Sequence, residues 1–307
     1  MAAIHAIILT LNEALHLERC IRSLGGVCSS ITVVDSGSSD DTVDIARRLG
    51  ATVLANPWTN YATQMNFAID AVADRGGWLL RIDADEVLDS ESGETLNEAV
   101  SRAGPDIDGL IVQRRIHFLG RRIRHGAIEP SWQLRLFRNG RGRCEQRWMD
   151  EHILVEGRVA KSRLILSDIN LNSLTWWTSK HNTYASREAI DALNARHKFM
   201  QSNSVSEGSA NAQAKVRRFL KERVYRNLPA GPRALFYFIY RYLLRLGFLD
   251  GAEGLYFHFL QGFWYRLVVD AKIAEIERHA RTFGIPIEEA ILDRTGIRPR
   301  VNAIARE

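Results

Sequence analysis

The sequence predicts an α/β fold: a mostly parallel sheet with helices on both faces, followed by a helical extension. Three observations lead there. Short apolar runs alternate with amphipathic segments over the first hundred residues, polar clusters rich in carboxylates follow those runs, and beyond Trp176 the pattern is helical throughout.

The elements follow in order. Residues 4–9 are an apolar run that reads as a buried first strand, without the basic start or cleavage site of a signal peptide. Leu17, Cys20, Ile21 and Leu24 stand at i, i+3, i+4 and i+7, one face of a helix that Gly25-Gly26 ends. Residues 31–34 form a second strand running into Asp35. Ser38-Ser39-Asp40-Asp41 supplies helix-capping residue types, and Val43, Ala46 and Gly50 share the next helical face. Residues 51–55 read as a third strand, Tyr61, Met65, Ala68, Ile69 and Val72 as a helical stripe, and residues 78–82 as a fourth strand. Residues 109–166 are mixed and strand-rich, and residues 202–211 are a polar insertion. The expected division is a catalytic domain over 1–170 and a helical extension over 171–307.

Composition narrows the class. With 46% hydrophobic and 25% charged residues in 307, the chain is globular rather than disordered. Cys20, Cys28 and Cys144 lack CxxC spacing and cannot all pair, which points to a reduced, cytoplasmic setting and away from structural zinc. No run approaches the ~18 uncharged apolar residues of a spanning helix. The net charge of +5 is regional. Between residues 215 and 248 nine Lys/Arg face one acid, Glu222, while the remainder is slightly acidic.

In open parallel sheets, ligands gather beyond the carboxyl ends of the strands. Thr10-Leu11-Asn12-Glu13, Asp35-Ser36-Gly37-Ser38 and Asp83-Ala84-Asp85 all sit at such ends. Two carboxylates flanking one small residue can hold a hard divalent cation, which in turn neutralises a diphosphate. The plain alternative is that the acids cap the next helix. A nicotinamide enzyme needs GxGxxG after the first strand, and a P-loop enzyme needs GxxxxGK[ST]; neither occurs. Aspartate-nucleophile phosphatases carry DxD after the first strand, whereas here it follows the fourth.

Taken in order, Thr10–Glu13, Asp35-Ser-Gly-Ser-Ser-Asp-Asp-Thr42, Gln64-Met65-Asn66 and Asp83-Ala-Asp-Glu86 resemble the motifs of family 2 glycosyltransferases over roughly residues 4–155. The nearest likeness is to members that build lipopolysaccharide core and exopolysaccharide. The resemblance implies the Rossmann-like GT-A fold, transfer with inversion from a nucleotide-sugar (UDP-linked) and a divalent metal, Mg or Mn. It implies that Thr10, Asn12 and Glu13 meet the nucleoside and Asp35 the base. Gln64 and Asn66 would join the donor site, Asp83 would lie near ribose or metal, and Asp85 would hold the metal. Inverting transfer also needs a base. Asp150 and Glu151, in Trp148-Met-Asp-Glu-His152, match the family's acidic pair beside the acceptor, and spacing does not separate them. An exposed acidic turn is the alternative. Arg135 and Arg138 could meet phosphate or acceptor, or be solvated charges on an edge strand. Two departures stand out: Met65 replaces a frequent basic residue, and no His follows the catalytic region, leaving Asp168 or His181 as possible substitutes.

Residues 235–265 carry twelve of the 27 aromatic residues, and Arg241 and Arg245 are i, i+4 partners. Rings and arginines along helices suit an anionic membrane surface; a packed helical domain or homodimer interface is the alternative. No recognition motif accompanies the charge, so nucleic acid is not expected. The sequence therefore predicts a glycosyltransferase, peripheral at the inner face of the cytoplasmic membrane, acting on a lipid-linked or envelope glycan. The rivals are a sugar-phosphate nucleotidyltransferase and a non-catalytic membrane-binding scaffold with the same fold.

Overall fold

The computed structural model describes residues 2–145, 152–200 and 231–299, which form two compact units. Among these, residues 2–145 and 152–171 belong to the first unit, and residues 172–200 and 231–299 to the second.

The first unit opens with β1 (Ile4–Thr10), α1 (Ala14–Ser23), β2 (Ser30–Asp35), α2 (Thr42–Arg48), β3 (Thr52–Ala55), α3 (Tyr61–Ala71) and β4 (Trp78–Arg81). It continues with β5 (Glu86–Leu88), α4 (Leu96–Arg102), β6 (Ile107–Phe118), β7 (Arg121–Ile123), β8 (Ser131–Arg138), β9 (Gly142–Cys144), β10 (Ile153–Val155) and β11 (Arg158–Ile169). The main sheet runs β3-β2-β1-β4-β8-β6-β11-β5, with β7 paired to β6, and β9 and β10 form a separate hairpin. Strands β3, β2, β1 and β4 are mutually parallel; β8 enters antiparallel to β4 and to β6, and β11 is again parallel to β6.

Alternation along each strand assigns the helices to faces. Ile4, Ala6 and Ile8 of β1 and Trp78 and Leu80 of β4 pack with Leu17, Cys20 and Ile21 of α1 and its C-cap Leu24, with Ala46 of α2 and with Leu96 of α4. The alternate positions, Ile7 and Leu79, pack with Ala62, Met65, Ala68 and Ile69 of α3 on the other side. Leu17 and Leu24 are wholly buried, each contributing on the order of 1.5–3 kcal/mol, so α1 is held firmly beneath the loops that follow β1 and β4.

One alternative is excluded here. Asp83–Glu86 does not cap a helix. The chain turns there into β5, which pairs antiparallel with β11 through Asp168↔Glu86, and the next α-helix, α4, has its own capping box from Thr95 and Glu98.

In the second unit, α5 (Leu174–His197), α8 (Tyr265–Phe283) and α9 (Ile287–Thr295) share a core of Ala189, Ile190, Leu193, Val269, Ile273, Ile276 and Ile291. Between α5 and α8 the described chain is α6 (Pro232–Ile239), a π-helical turn (Tyr240–Leu244), a 3₁₀ turn (Gly247–Asp250), α7 (Gly251–Phe257) and a second π-helical turn (His258–Trp264). The wider π turn breaks the expected i, i+4 alignment of Arg241 and Arg245. Arg241 is buried, its guanidinium over the rings of Tyr237 and Phe257 and bonded to Gln261, whereas Arg245 is exposed. Arg233 is buried too, ion-paired with Asp270. The expectation that Arg241 faces lipid is therefore corrected: it packs inside the unit, as does Phe257, one of the aromatic residues between 235 and 265. Lys215, Arg217, Arg218, Lys221, Arg223 and Arg226 lie outside the described residues.

Candidate active site

The parallel register aligns the strand ends. Thr10 lies beside Asp35, and Asp35 beside Ala55. Thr10 Oγ1 donates to Asp35 Oδ1 (3.0 Å), which also accepts from Ser38 Oγ, while the amides of Gly37 and Ser38 donate to Oδ2 (3.0 and 2.8 Å). Burial opposes ionisation of Asp35, but these four donors outweigh it and lower its pKa. All four acceptor positions are filled, so in this arrangement Asp35 shapes the loop after β2 rather than presenting a free carboxylate.

That loop is stitched to the one after β1. The Asn12 amide donates to Ser38 Oγ and the Ser39 amide to Asn12 Oδ1 (both 2.8 Å), the Glu13 amide donates to Thr42 Oγ1 (2.8 Å), and the Ala14 amide to Asp40 Oδ2 (3.2 Å). Asn12 takes φ 56°, in the left-handed region that Asn tolerates, and its side chain stays exposed. Glu13 meets His16 Nδ1 at 2.7 Å, and the Leu171 amide donates to His16 Nε2 at 2.9 Å. Because Nε2 accepts, the ring proton sits on Nδ1 and points at Glu13.

Gln64 is wholly buried, donating to Ser36 Oγ and to the Asn56 carbonyl (both 2.7 Å) and accepting from the Asn56 side chain. It ties the loops after β2 and β3 together. Asn66 pairs twice with the Cys144 backbone, donating to its carbonyl and accepting from its amide (both 2.9 Å). In this arrangement both amide groups have partners within the protein and brace the loops around the strand ends. Cys144 ends β9, and beyond it the Glu145 amide donates to the His152 carbonyl (3.0 Å). The candidate bases, Asp150 and Glu151, lie between these flanks, outside the described residues.

The two carboxylates of the Asp83-Ala84-Asp85 turn have different surroundings. Asp83 accepts from Arg135 Nη2 at 3.0 Å and from Tyr61 Oη at 3.3 Å, with Arg81 Nε at 4.0 Å. Burial opposes its ionisation, but Arg135 and Arg81 outweigh burial and hold it well below the usual carboxylate range. Asp85 Oδ2 accepts from Asn170 Nδ2 at 3.0 Å, its carbonyl accepts from Ile169 N and Arg19 Nη2, and among the described residues no cationic side chain pairs with its carboxylate. Beneath them Glu86, wholly buried, takes Arg135 Nη2 (2.6 Å) and Arg114 Nε (3.1 Å), and Arg114 also holds Asp168. Burial, together with the charge on Asp83, pushes Glu86 up to about 7 against the pull of Arg135; burial also raises Asp168 to about 6 against the pull of Arg114.

Glu86, Arg114 and Arg135 went unread, or misread, from sequence. The available signal was a lone arginine among the apolar residues Leu134, Leu136 and Phe137, a position costly to fill without partners. Arg135 is 2% exposed and cannot be a solvated edge charge or reach an acceptor. Arg138 reaches the carbonyls of Ile107 and Gly104 and covers the Trp78 ring. Of the suggested substitutes for a metal-binding His, Asp168 is engaged by Arg114. His181, in the second unit, stacks on Trp177 and meets the Trp177 carbonyl at 2.8 Å.

Among the described residues no three His, Cys, Asp or Glu side chains converge as a metal cage. What fits a divalent cation is the Asp85 carboxylate, which has no cationic partner among the described residues. Magnesium in particular is held by one or two carboxylates together with water and substrate phosphates.

The sequence model of glycosyl transferase family 2 matches residues 5–162. The chain is 35% identical over 164 residues to the lipopolysaccharide core biosynthesis glycosyltransferase LpsC of Rhizobium meliloti (strain 1021), covering 52% of this chain and 59% of that protein. It is 45% identical over 91 residues to an uncharacterised glycosyltransferase of Rickettsia felis, covering 30% and 31%. The chain thus spans less than two thirds of the length of these relatives. Among solved structures, glucosyl-3-phosphoglycerate synthase from Mycobacterium tuberculosis with Mn2+, UDP and glucosyl-3-phosphoglycerate is 23% identical, with a TM-score of 0.29 over 38% of this chain and 44% of that one. The family match begins in β1, ends in β11 and takes in the turns at Thr10, Asp35 and Asp83, across more than half of the sequence: the chain belongs to glycosyl transferase family 2.

Proposed function

We propose that this glycosyltransferase moves a sugar from a nucleotide-sugar, UDP-linked, to a lipid-linked or cell-envelope glycan with inversion at the anomeric carbon. The observation that carries the reading is the Asp83-Ala84-Asp85 turn, beyond the parallel strand ends, with one carboxylate held by arginines and one that has no cationic partner among the described residues. Asn12, Glu13, Thr10 and Asp83 would form the donor side, with Asp35, Gln64 and Asn66 keeping its loops in place. Asp85 would hold a divalent cation, Mg or Mn, which supplies Lewis-acid stabilisation of a departing diphosphate. Asp150 or Glu151 would take the proton of the acceptor hydroxyl as its oxygen bonds to the anomeric carbon. The bond to the diphosphate breaks on the opposite face, and inversion follows.

The test is a panel of UDP-, GDP- and CDP-sugars with MnCl2, scored for hydrolysis and transfer. Release of nucleoside diphosphate from one donor class is expected. Pyrophosphate release from a nucleoside triphosphate and sugar phosphate would favour the nucleotidyltransferase instead, and no turnover of any donor would favour the scaffold.

We place the protein at the inner face of the cytoplasmic membrane, and the second unit's exposed apolar residues support a membrane surface. Phe236, Leu243, Leu244, Leu246, Phe248 and Leu249 are all exposed, Leu244 at 72%, and exposed apolar side chains gathered within one short stretch suit a membrane or protein interaction site. No helix among the described residues is long and apolar enough to cross a membrane. Of the three described basic residues between 215 and 248, only Arg245 is exposed, so the described residues offer mainly apolar contact, which salt does not screen. The protein is expected to float with anionic liposomes at low salt and to show reduced binding at high salt. Replacing Phe236 and Leu244 together by glutamate removes about 1 kcal/mol or more of apolar transfer at each site, so affinity should drop by more than tenfold. A protein that ignores anionic vesicles at low salt would not be membrane-bound through this face.

A further inference from the structure

Arg135 projects from β8 into the interior beneath the Asp83–Asp85 turn, where an unpaired guanidinium would be costly. Its Nη2 bridges Asp83 Oδ2 (3.0 Å) and Glu86 Oε1 (2.6 Å), and its Nε donates to Gln133 Oε1 (3.0 Å). Glu86 is anchored in return: its Oε2 accepts the Asp83 amide (3.0 Å) and its Oε1 accepts Arg114 Nε (3.1 Å), while Arg114 also grips Asp168 on β11. One chain of charges therefore runs from the turn after β4 across β8 and β6 to β11. Asp83 is bonded through its side chain and its backbone amide to two members of this chain, so it has little freedom to turn.

We infer that Arg135, with Glu86 behind it, is a positioning residue for the nucleotide donor: it holds Asp83 with Oδ2 turned inward, while Oδ1, which accepts from Tyr61 Oη at 3.3 Å and keeps acceptor capacity beyond that bond, is turned to the donor and Asp85 is left as the cation's carboxylate. The inference rests on the donor reading above, which already divides the two aspartates between donor and cation, and adds the groups that enforce that division. Held between Arg135, Arg81 and Tyr61, Asp83 is a poor candidate for a second cation ligand, which separates nucleotide affinity from metal affinity. A purely architectural ion pair would predict otherwise: its loss would lower stability and leave nucleotide affinity unchanged.

A double-mutant cycle on the full chain separates these cases. Titration calorimetry would measure UDP affinity in MnCl2, Mn2+ affinity alone would be read by electron paramagnetic resonance, and thermal melting would report folding. Arg135→Lys keeps the charge but loses the fork that bridges two carboxylates. It should weaken UDP by about tenfold and leave Mn2+ affinity within about twofold. In an Asp83→Asn background the same change should cost nothing further. Glu86→Gln, which keeps an acceptor for Arg135, should show the same non-additivity with a smaller loss and serves if Arg135→Lys melts too low. Additive losses, unchanged UDP affinity in both variants, or a parallel collapse of Mn2+ affinity would overturn the inference while leaving the donor reading intact. If the wild type binds GDP or CDP instead, that nucleotide replaces UDP in the cycle; if it binds none of them, the donor reading fails and this inference with it.

Discussion

Asp85→Ala is expected to abolish transfer, lowering turnover by on the order of 10³-fold or more, while the protein melts close to the wild-type temperature. The two halves of that expectation have separate causes. Among the described residues Asp85 has no cationic partner; on the proposed reading its removal takes away the cation's carboxylate, and Lewis-acid stabilisation of a departing diphosphate is worth several kcal/mol. For the fold, the side chain contributes one hydrogen bond, from Asn170 Nδ2, worth about 1 kcal/mol. Nucleotide-sugar turnover and Mn2+ binding, measured on the same preparation, check both halves. Full activity in Asp85→Ala, or in excess chelator, would end the metal-assisted reading.

Asp150→Asn and Glu151→Gln form the second test. Whichever residue takes the acceptor proton should lose roughly 10²–10⁴-fold in turnover on substitution, with donor affinity nearly unchanged, because the donor loops are tied to one another from Thr10 to Gln64. The other substitution should be mild. The residues that flank this segment are well held: Asn66 grips Cys144, and Glu145 pairs with His152 through backbone and side chain, His152 Nδ1 lying 3.1 Å from Glu145 Oε1. Turnover and donor affinity measured side by side would decide. Two variants with wild-type turnover would move acceptor activation elsewhere.

The alternation of apolar runs was enough to place β1 to β4 and their helices, because period 2 and period 3.6 are properties of a segment alone. The same reasoning put Thr10, Asp35, Asp83 and Asp85 at strand ends, where the register now aligns the first two. It could not see what those groups touch. Gln64 and Asn66 are polar residues on a helix and read naturally as ligand contacts; that one closes a loop junction and the other grips a hairpin depends on where residues 56 and 144 arrive. Arg135 reaches Asp83 from 52 positions away because β8 lies next to β4 in the sheet, and strand order is not written in any local pattern.

The second unit repeats the lesson with the opposite sign. A charged residue in an aromatic helix reads as solvent-facing because burying it alone is costly. Arg241 escapes that cost by lying over Tyr237 and Phe257 and bonding Gln261, partners brought together only once the chain has turned through residues 247–250. By itself the sequence determined the elements, the family and the chemistry of the strand ends. The tertiary structure decided which charges are paired inside and which stay available, because pairing depends on distances between residues far apart in the chain.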